Sequence, residues 1–148
     1  MTYNATDYLH QAAAGASPAG LVILLYDRLV ADLTRAINAM EKGLVESSVA
    51  EINHAFLILG QLEGSLDSSQ APDAAKTQAL FYQVARNRIL EAQIKSDRRM
   101  LEEQIELFND VRAAWEQVDR VRNANSAVPP PPFRNQDDEE LSALDASA

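Results

Sequence analysis

The chain has 148 residues, a formal net charge of −9 and no cysteine. This length suits one domain, the lack of thiols excludes disulfides and cysteine-ligated zinc, and the acidic balance argues against nucleic acid, which needs a basic surface. Long stretches without proline or glycine favour an all-helical fold.

The N-terminal segment, residues 1–16, is predicted to be a short helix or a loose arm. Tyr8 and Leu9 fall in its weak helical pattern. The segment lacks the basic and apolar regions of a secretory signal. The longest apolar run of the chain, residues 21–26, is too short to cross a bilayer. We therefore expect a cytoplasmic protein without membrane insertion.

The first long helix is expected from Ser17 to about Gly43. Ser17 followed by Pro18 is typical of a helix start, because the hydroxyl caps a free N–H and proline has none to lose. Gly43 suits the residue that follows the last turn. Apolar residues recur at spacings of three and four, which indicates one buried stripe. That stripe consists of Val22, Tyr26, Leu29, Leu33, Ile37 and Met40.

Three further helices are predicted after this one. The second starts at Ser47 or Ser48, since Ser48 and Glu51 have capping-box spacing, and the polar stretch 67–73 ends it. The third covers about residues 73–95. Its inward residues are predicted to be Leu80, Phe81, Val84, Ala85, Ile89 and Ala92. The fourth is capped by Ser96 or Asp97. Its stripe is Leu101, Ile105, Phe108, Val111, Trp115 and Val118.

Short connections between long helices predict antiparallel neighbours. We therefore expect an all-α protein with an antiparallel four-helix bundle over residues 17–125. The tail, residues 126–148, contains four consecutive prolines and then a cluster of acids. Proline cannot continue a helix, and a polar, acidic segment buries little apolar surface, so a disordered tail is predicted.

The sequence gives little evidence for a metal site or a catalytic site. Glu51 and His54 form one E-x-x-H pair, and Asp7 and His10 have the same spacing. Ferritin-like metal sites need two such pairs on bundle helices and two more glutamates. No nucleophile motif or phosphate-binding glycine loop is present. We expect no metal, no cofactor and no enzymatic activity; a metal-dependent bundle enzyme is the alternative.

The first long helix has more apolar residues than one stripe needs. Leu21, Ile23, Leu24 and Leu25 are left over beside it. Either the N-terminal segment covers this surplus, or a groove accepts an amphipathic helix of a partner. The second interpretation explains the whole set more simply.

The stretch ASPAGLVILLYDRLVADLTRA resembles the signature of the flagellar secretion chaperone family, in which A-S-P precedes an apolar run ending in L-Y-D. The resemblance continues in LEGSLD and in RILEAQIKSDRRMLEEQIELFNDVRAAWEQV. The chain departs from the family pattern at Gly15, Arg28 and Gln93, among other positions. The resemblance extends from about Tyr8 to Val118.

The resemblance implies a chaperone that binds the C-terminal segment of flagellin, prevents its early polymerisation and delivers it to a component of the flagellar export gate. We expect Leu21, Leu24 and Leu25 to contact the client, and Leu25→Asp to abolish binding without unfolding the bundle. Tyr8 and Leu9 are expected to shield the empty groove. Structural roles are expected for Ser17, Pro18, Tyr26, Asp27 and Trp115. The alternative is a self-associating structural or regulatory bundle.

Overall fold

The structure is a computed structural model that describes residues 17–66 and 71–127. Within these ranges the chain forms helices and no strands. The helices are α1 (Pro18–Glu41), α2 (Val45–Gly64), α3 (Pro72–Lys95) and α4 (Arg98–Ala127). The all-helical, four-helix prediction is confirmed. The predicted N-terminal helix or arm and the proline-rich part of the tail lie outside the described residues.

Contacts between the helices give their directions. In each contacting pair of helices, residue numbers rise along one helix as they fall along the other, so the two helices are antiparallel. The contacts are Asp32–His54 and Arg35–Glu51 for α1 and α2, Asp27–Arg112 and Glu41–Arg98 for α1 and α4, and Arg88–Glu103 and Phe81–Phe108 for α3 and α4. Helices α1 and α3 therefore run one way and α2 and α4 the other, which is the up-down arrangement of an antiparallel bundle.

The core lies among the inward stripes of the four helices. Its largest fully buried apolar side chains are Tyr26, Leu29 and Leu33 on α1, Ile52, Leu59 and Leu62 on α2, Tyr82 and Ile89 on α3, and Leu101 and Phe108 on α4. These core residues lie in one compact unit, which includes the described residues up to 116. The last turns of α4, from residue 117, belong to a second unit. The described side chains of that unit are mostly exposed.

The ends of α1 follow directly from its sequence. The Ser17 hydroxyl accepts a hydrogen bond from the Gly20 N–H at 3.0 Å, and Pro18 is the first helical residue. Gly43 has a left-handed φ of 72°. The next N–H, that of Leu44, donates to the Ala39 carbonyl at 2.8 Å. This is a Schellman ending, which glycine adopts without strain.

The predicted cap of α2 is wrong. Helix α2 starts at Val45, with Leu44 in the cap position and no side-chain hydrogen bond there. Ser48 lies inside the first turn, where its hydroxyl donates to the Val45 carbonyl at 2.8 Å. The compact ending of α1 at Gly43 reverses the chain at once, so α2 begins before the serines. At the start of α4, by contrast, the Asp97 carboxylate accepts from the Met100 N–H at 3.3 Å.

The predicted inward face of α3 is also partly wrong. Leu80 and Val84 are exposed. The buried residues of α3 are Ala75, Tyr82, Ala85, Ile89 and Ala92. Apolar residues at positions 80, 81, 84 and 85 fit two different stripes, and the helix buries the one that includes the hydrogen-bonded Tyr82. On α4 the predicted inward residue Val118 is exposed as well.

Candidate functional site

An apolar groove of about 320 Å³ opens where the start of α1, the end of α2 and the start of α3 meet. Leu21, Leu25, Leu66, Tyr82 and Trp115 supply its large side chains. Among the described residues that line it, none is charged. We call this feature the α1–α3 groove. Its size and apolar lining are typical of a binding pocket.

The local sequence explains why the groove is open. Because α1 starts at Pro18, Leu21 and Leu25 are one turn apart on the same face. The facing first turn of α3 and the residue before it contribute only small side chains to the groove, Ala71, Ala74 and Ala75. Alanine side chains are too short to fill the space between the ends of three helices, so a cleft is left there.

The predicted client-contact residues have different positions. Leu21 lines the rim of the groove and is 37% exposed, whereas Leu25 lies in its floor and is 6% exposed. Leu24 is partly buried and does not line the groove. Tyr8 and Leu9 lie outside the described residues.

Other lining residues were not predicted from the sequence. Leu66 and the alanines of α3 lie beside a stretch interpreted as a loop, and Tyr82 was passed over for its neighbour Phe81. Of these residues, only Leu66 falls within a stretch that carries the family resemblance, LEGSLD.

A buried tyrosine pair connects the groove to the core. The Tyr26 hydroxyl donates to the Tyr82 hydroxyl at 3.0 Å. Both rings are almost fully buried, and the Tyr26 ring also contacts Phe108 with centroids 5.9 Å apart. Burial raises the pKa of both phenols above the usual value, because the charged form loses its hydration. The two residues therefore remain neutral hydrogen-bonded groups at any physiological pH.

An ion pair fastens α4 to α1 near the groove. The Arg112 guanidinium donates from Nε and Nη2 to the Asp27 carboxylate, the second contact measuring 3.4 Å. Its Nη1 lies 3.2 Å from Glu116. The hydrogen bond to Asp27 raises the pKa of Arg112. Since Trp115 lies on the same turn of α4 as Arg112 and lines the groove, the pair helps to hold the tryptophan in place.

The E-x-x-H pair takes part in an ion network. Asp32 is fully buried, and its Oδ2 lies 2.6 Å from His54 Nδ1, while its Oδ1 lies 2.6 Å from Arg35 and 3.3 Å from Arg28. Glu51 pairs with Arg35 at 3.1 Å. Two arginines and the His54 ring thus surround one buried carboxylate.

Residues 17–66 and 71–127 contain no group of three or more histidine and acidic side chains placed to hold a metal ion. None of their helices is both long enough and apolar enough to span a membrane.

Comparison with known proteins gives consistent matches. The model of the family described as flagellar protein FliS matches residues 1–122. The chain is 28% identical over 105 residues to the flagellar secretion chaperone FliS of Vibrio cholerae, covering 71% of this chain and 77% of the relative. It is 27% identical over 111 residues to that of Salmonella typhimurium, covering 74% and 82%. The flagellar secretion chaperone FliSB of Pseudomonas aeruginosa is 28% identical over 103 residues, covering 70% and 82%.

Proposed function

The chain belongs to the FliS family of flagellar proteins, and we propose that it binds the C-terminal segment of flagellin in the cytoplasm, keeps it from polymerising and delivers it to a component of the export gate. Membership of the family gives it a chaperone role in flagellar export. The observation that supports binding of a client segment is the α1–α3 groove, which the described residues leave open and line without any charged side chain.

The groove suits one apolar face of an amphipathic helix. Leu21, Leu25 and Trp115 offer apolar surface to residues that repeat every three or four positions in a client. A segment destined to pack between flagellin subunits carries such a face and would aggregate while uncovered. Binding here buries that face, and the apolar contacts offset the entropy lost when the segment becomes ordered.

The lining of the groove favours binding over catalysis. Its polar members among the described residues are Ser65, Gln78 and Tyr82, and Tyr82 already pairs with Tyr26. None of these groups is paired with a general base among the described lining residues, as a catalytic nucleophile would be. We therefore propose a binding protein and not an enzyme.

The proposal is tested by calorimetry of a flagellin C-terminal peptide with the full chain. Leu25→Asp is unsuitable, because Leu25 is a buried core residue and a carboxylate there would unfold the bundle. Leu21→Asp places the charge at the rim and is expected to weaken binding at least about tenfold. The matched control is Ile94→Asp, at an exposed position near the far end of α3 that does not line the groove.

The expected pattern is loss of binding in Leu21→Asp, unchanged binding in Ile94→Asp, and wild-type helicity in both. Because the groove is uncharged, the affinity should change little with salt, and the heat-capacity change on binding should be negative. Equal affinity of Leu21→Asp and the wild type would place the client elsewhere and overturn the proposal.

A further inference from the structure

Arg28 is a partly buried arginine whose hydrogen-bond donors are largely unused. Its side chain is 23% exposed, and its Nε lies 3.3 Å from Asp32 Oδ1 without forming a hydrogen bond. The Asp32 oxygens already have closer partners, since Oδ1 accepts from Arg35 and Oδ2 contacts His54 Nδ1, each at 2.6 Å. No hydrogen bond within the described part of the chain involves the terminal nitrogens of Arg28. A guanidinium has five N–H donors, so this side chain can still bind an anion.

The position of Arg28 places these donors beside the α1–α3 groove. Arg28 follows Leu25 by three residues and Leu21 by seven, so the three side chains lie on one side of α1. The step from Leu25 to Arg28 is about 4.5 Å along the helix axis. A client helix that lies over Leu21 and Leu25 and continues along α1 therefore meets the guanidinium within its next turn.

The neighbouring helix α2 supplies no acid at this level. The antiparallel register set by the Asp32–His54 contact puts position 28 level with Ile58. Ile58 is buried and its neighbour Leu57 is 66% exposed, and neither carries a charge. The guanidinium therefore lies beside apolar surface, where a carboxylate that it binds interacts more strongly than in bulk water.

We propose that Arg28 selects clients by binding a carboxylate of the segment that occupies the α1–α3 groove. The inference rests on the proposed function and adds the chemistry of the client, which carries apolar residues for the groove and a carboxylate about one turn away. An acidic side chain or the free C-terminus of the client supplies this group, and both match the planar fork of arginine. Arg28 is one of the positions at which this chain departs from the family pattern, so the selectivity is a property of this chain and not of the family.

The test is calorimetry of the full chain and its Arg28→Gln variant with three forms of the flagellin C-terminal peptide. One form is unmodified, one has an amidated C-terminus, and one has its acidic side chains replaced by the corresponding amides. The variant should bind the unmodified peptide about tenfold more weakly than the wild type. Both proteins should bind one of the modified peptides equally, and that peptide identifies the source of the carboxylate. Because Arg28 is mostly buried, the loss should persist in moderate salt.

Arg35→Gln is the matched control, because it removes the same charge from α1 and also contacts Asp32, but lies two turns further along the helix. It should bind all three peptides like the wild type, and both variants should keep wild-type helicity. Equal affinity of Arg28→Gln and the wild type for the unmodified peptide would overturn the inference. The same loss with all three peptides would overturn it as well, because it would indicate a structural role.

Leu21→Asp separates this inference from the proposed function. That variant should bind every form of the peptide more weakly than the wild type, because it alters the rim of the groove itself. Weakened binding in Leu21→Asp together with unchanged binding in Arg28→Gln would therefore contradict the carboxylate site alone and leave the proposed function standing.

Discussion

The hydrogen bond between Tyr26 and Tyr82 makes a sharp prediction about folding stability. Either Tyr→Phe substitution removes one hydroxyl from a buried site and leaves the other hydroxyl beside a ring edge. The volume hardly changes, so packing against Phe108 stays intact. What is lost is the pairing of two polar groups.

The expected magnitudes follow from the burial of both residues. A buried polar group that loses its partner costs about 1–3 kcal/mol, whereas replacing both partners with apolar groups of the same shape is close to neutral. Each single variant should therefore lower the free energy of unfolding by about 1–2 kcal/mol. The double variant should lie near the wild type, which gives a coupling energy of about 2–4 kcal/mol, the sum of the two single losses.

Urea unfolding of the four proteins, followed by helical circular dichroism, measures this cycle. Equal slopes with denaturant would show that the substitutions act on stability alone. If the losses in the two single variants simply added in the double variant, the two hydroxyls would not depend on each other. The interpretation of Tyr26 and Tyr82 as a hydrogen-bonded pair that connects the groove to the core would then fail.

Further predictions concern pH, the helix cap and the ion pairs. Because the folded pKa values of Tyr26 and Tyr82 are raised above the unfolded value of about 10, the unfolded chain loses these protons first. The contribution of the two phenols to the free energy of unfolding is therefore complete below about pH 10 and falls at higher pH. Urea midpoints measured from pH 8 to 11 should decline more steeply for the wild type than for the Tyr26→Phe/Tyr82→Phe variant. Ser17→Ala should cost about 1 kcal/mol in urea unfolding, while Ser17→Asp retains most of the cap; equal losses in both would mean that the cap is not what stabilises this end. Asp32→Ala should cost about 2–3 kcal/mol because a buried carboxylate that contacts two arginines and His54 is lost, whereas Asp27→Ala should cost about 0.5 kcal/mol and lose its effect in salt, since that side chain is half-exposed. Similar losses for the two aspartates in high salt would contradict this ranking.

Much of the fold could be predicted from the sequence because the strongest local signals agree with the packing. Ser17, Pro18 and Gly43 act through their own backbone chemistry, so the limits of α1 needed no tertiary information. The spacing of three and four on α1 and α4 likewise identified core residues such as Leu33 and Phe108.

The errors arose where two local patterns compete and only tertiary contacts decide. Ser48 and Glu51 fit a capping box, but the Schellman ending at Gly43 starts α2 earlier. On α3, Leu80 and Val84 are as apolar as the true core residues, and the choice depends on the partner of Tyr82 across the bundle. The α1–α3 groove could not be predicted because it forms where the ends of three helices meet. The spacing of residues along the sequence does not indicate such a meeting.

Leu25 and Tyr82 belong at once to the floor of the α1–α3 groove and to the centre of the folded molecule. Any substitution there that reshapes the groove also disturbs folding, so evolutionary adjustment to a new client is confined to the rim, at Leu21, Ala74 and Gln78. We expect the sequences of related chaperones with dissimilar clients to diverge at these rim positions and to retain large apolar or aromatic residues underneath.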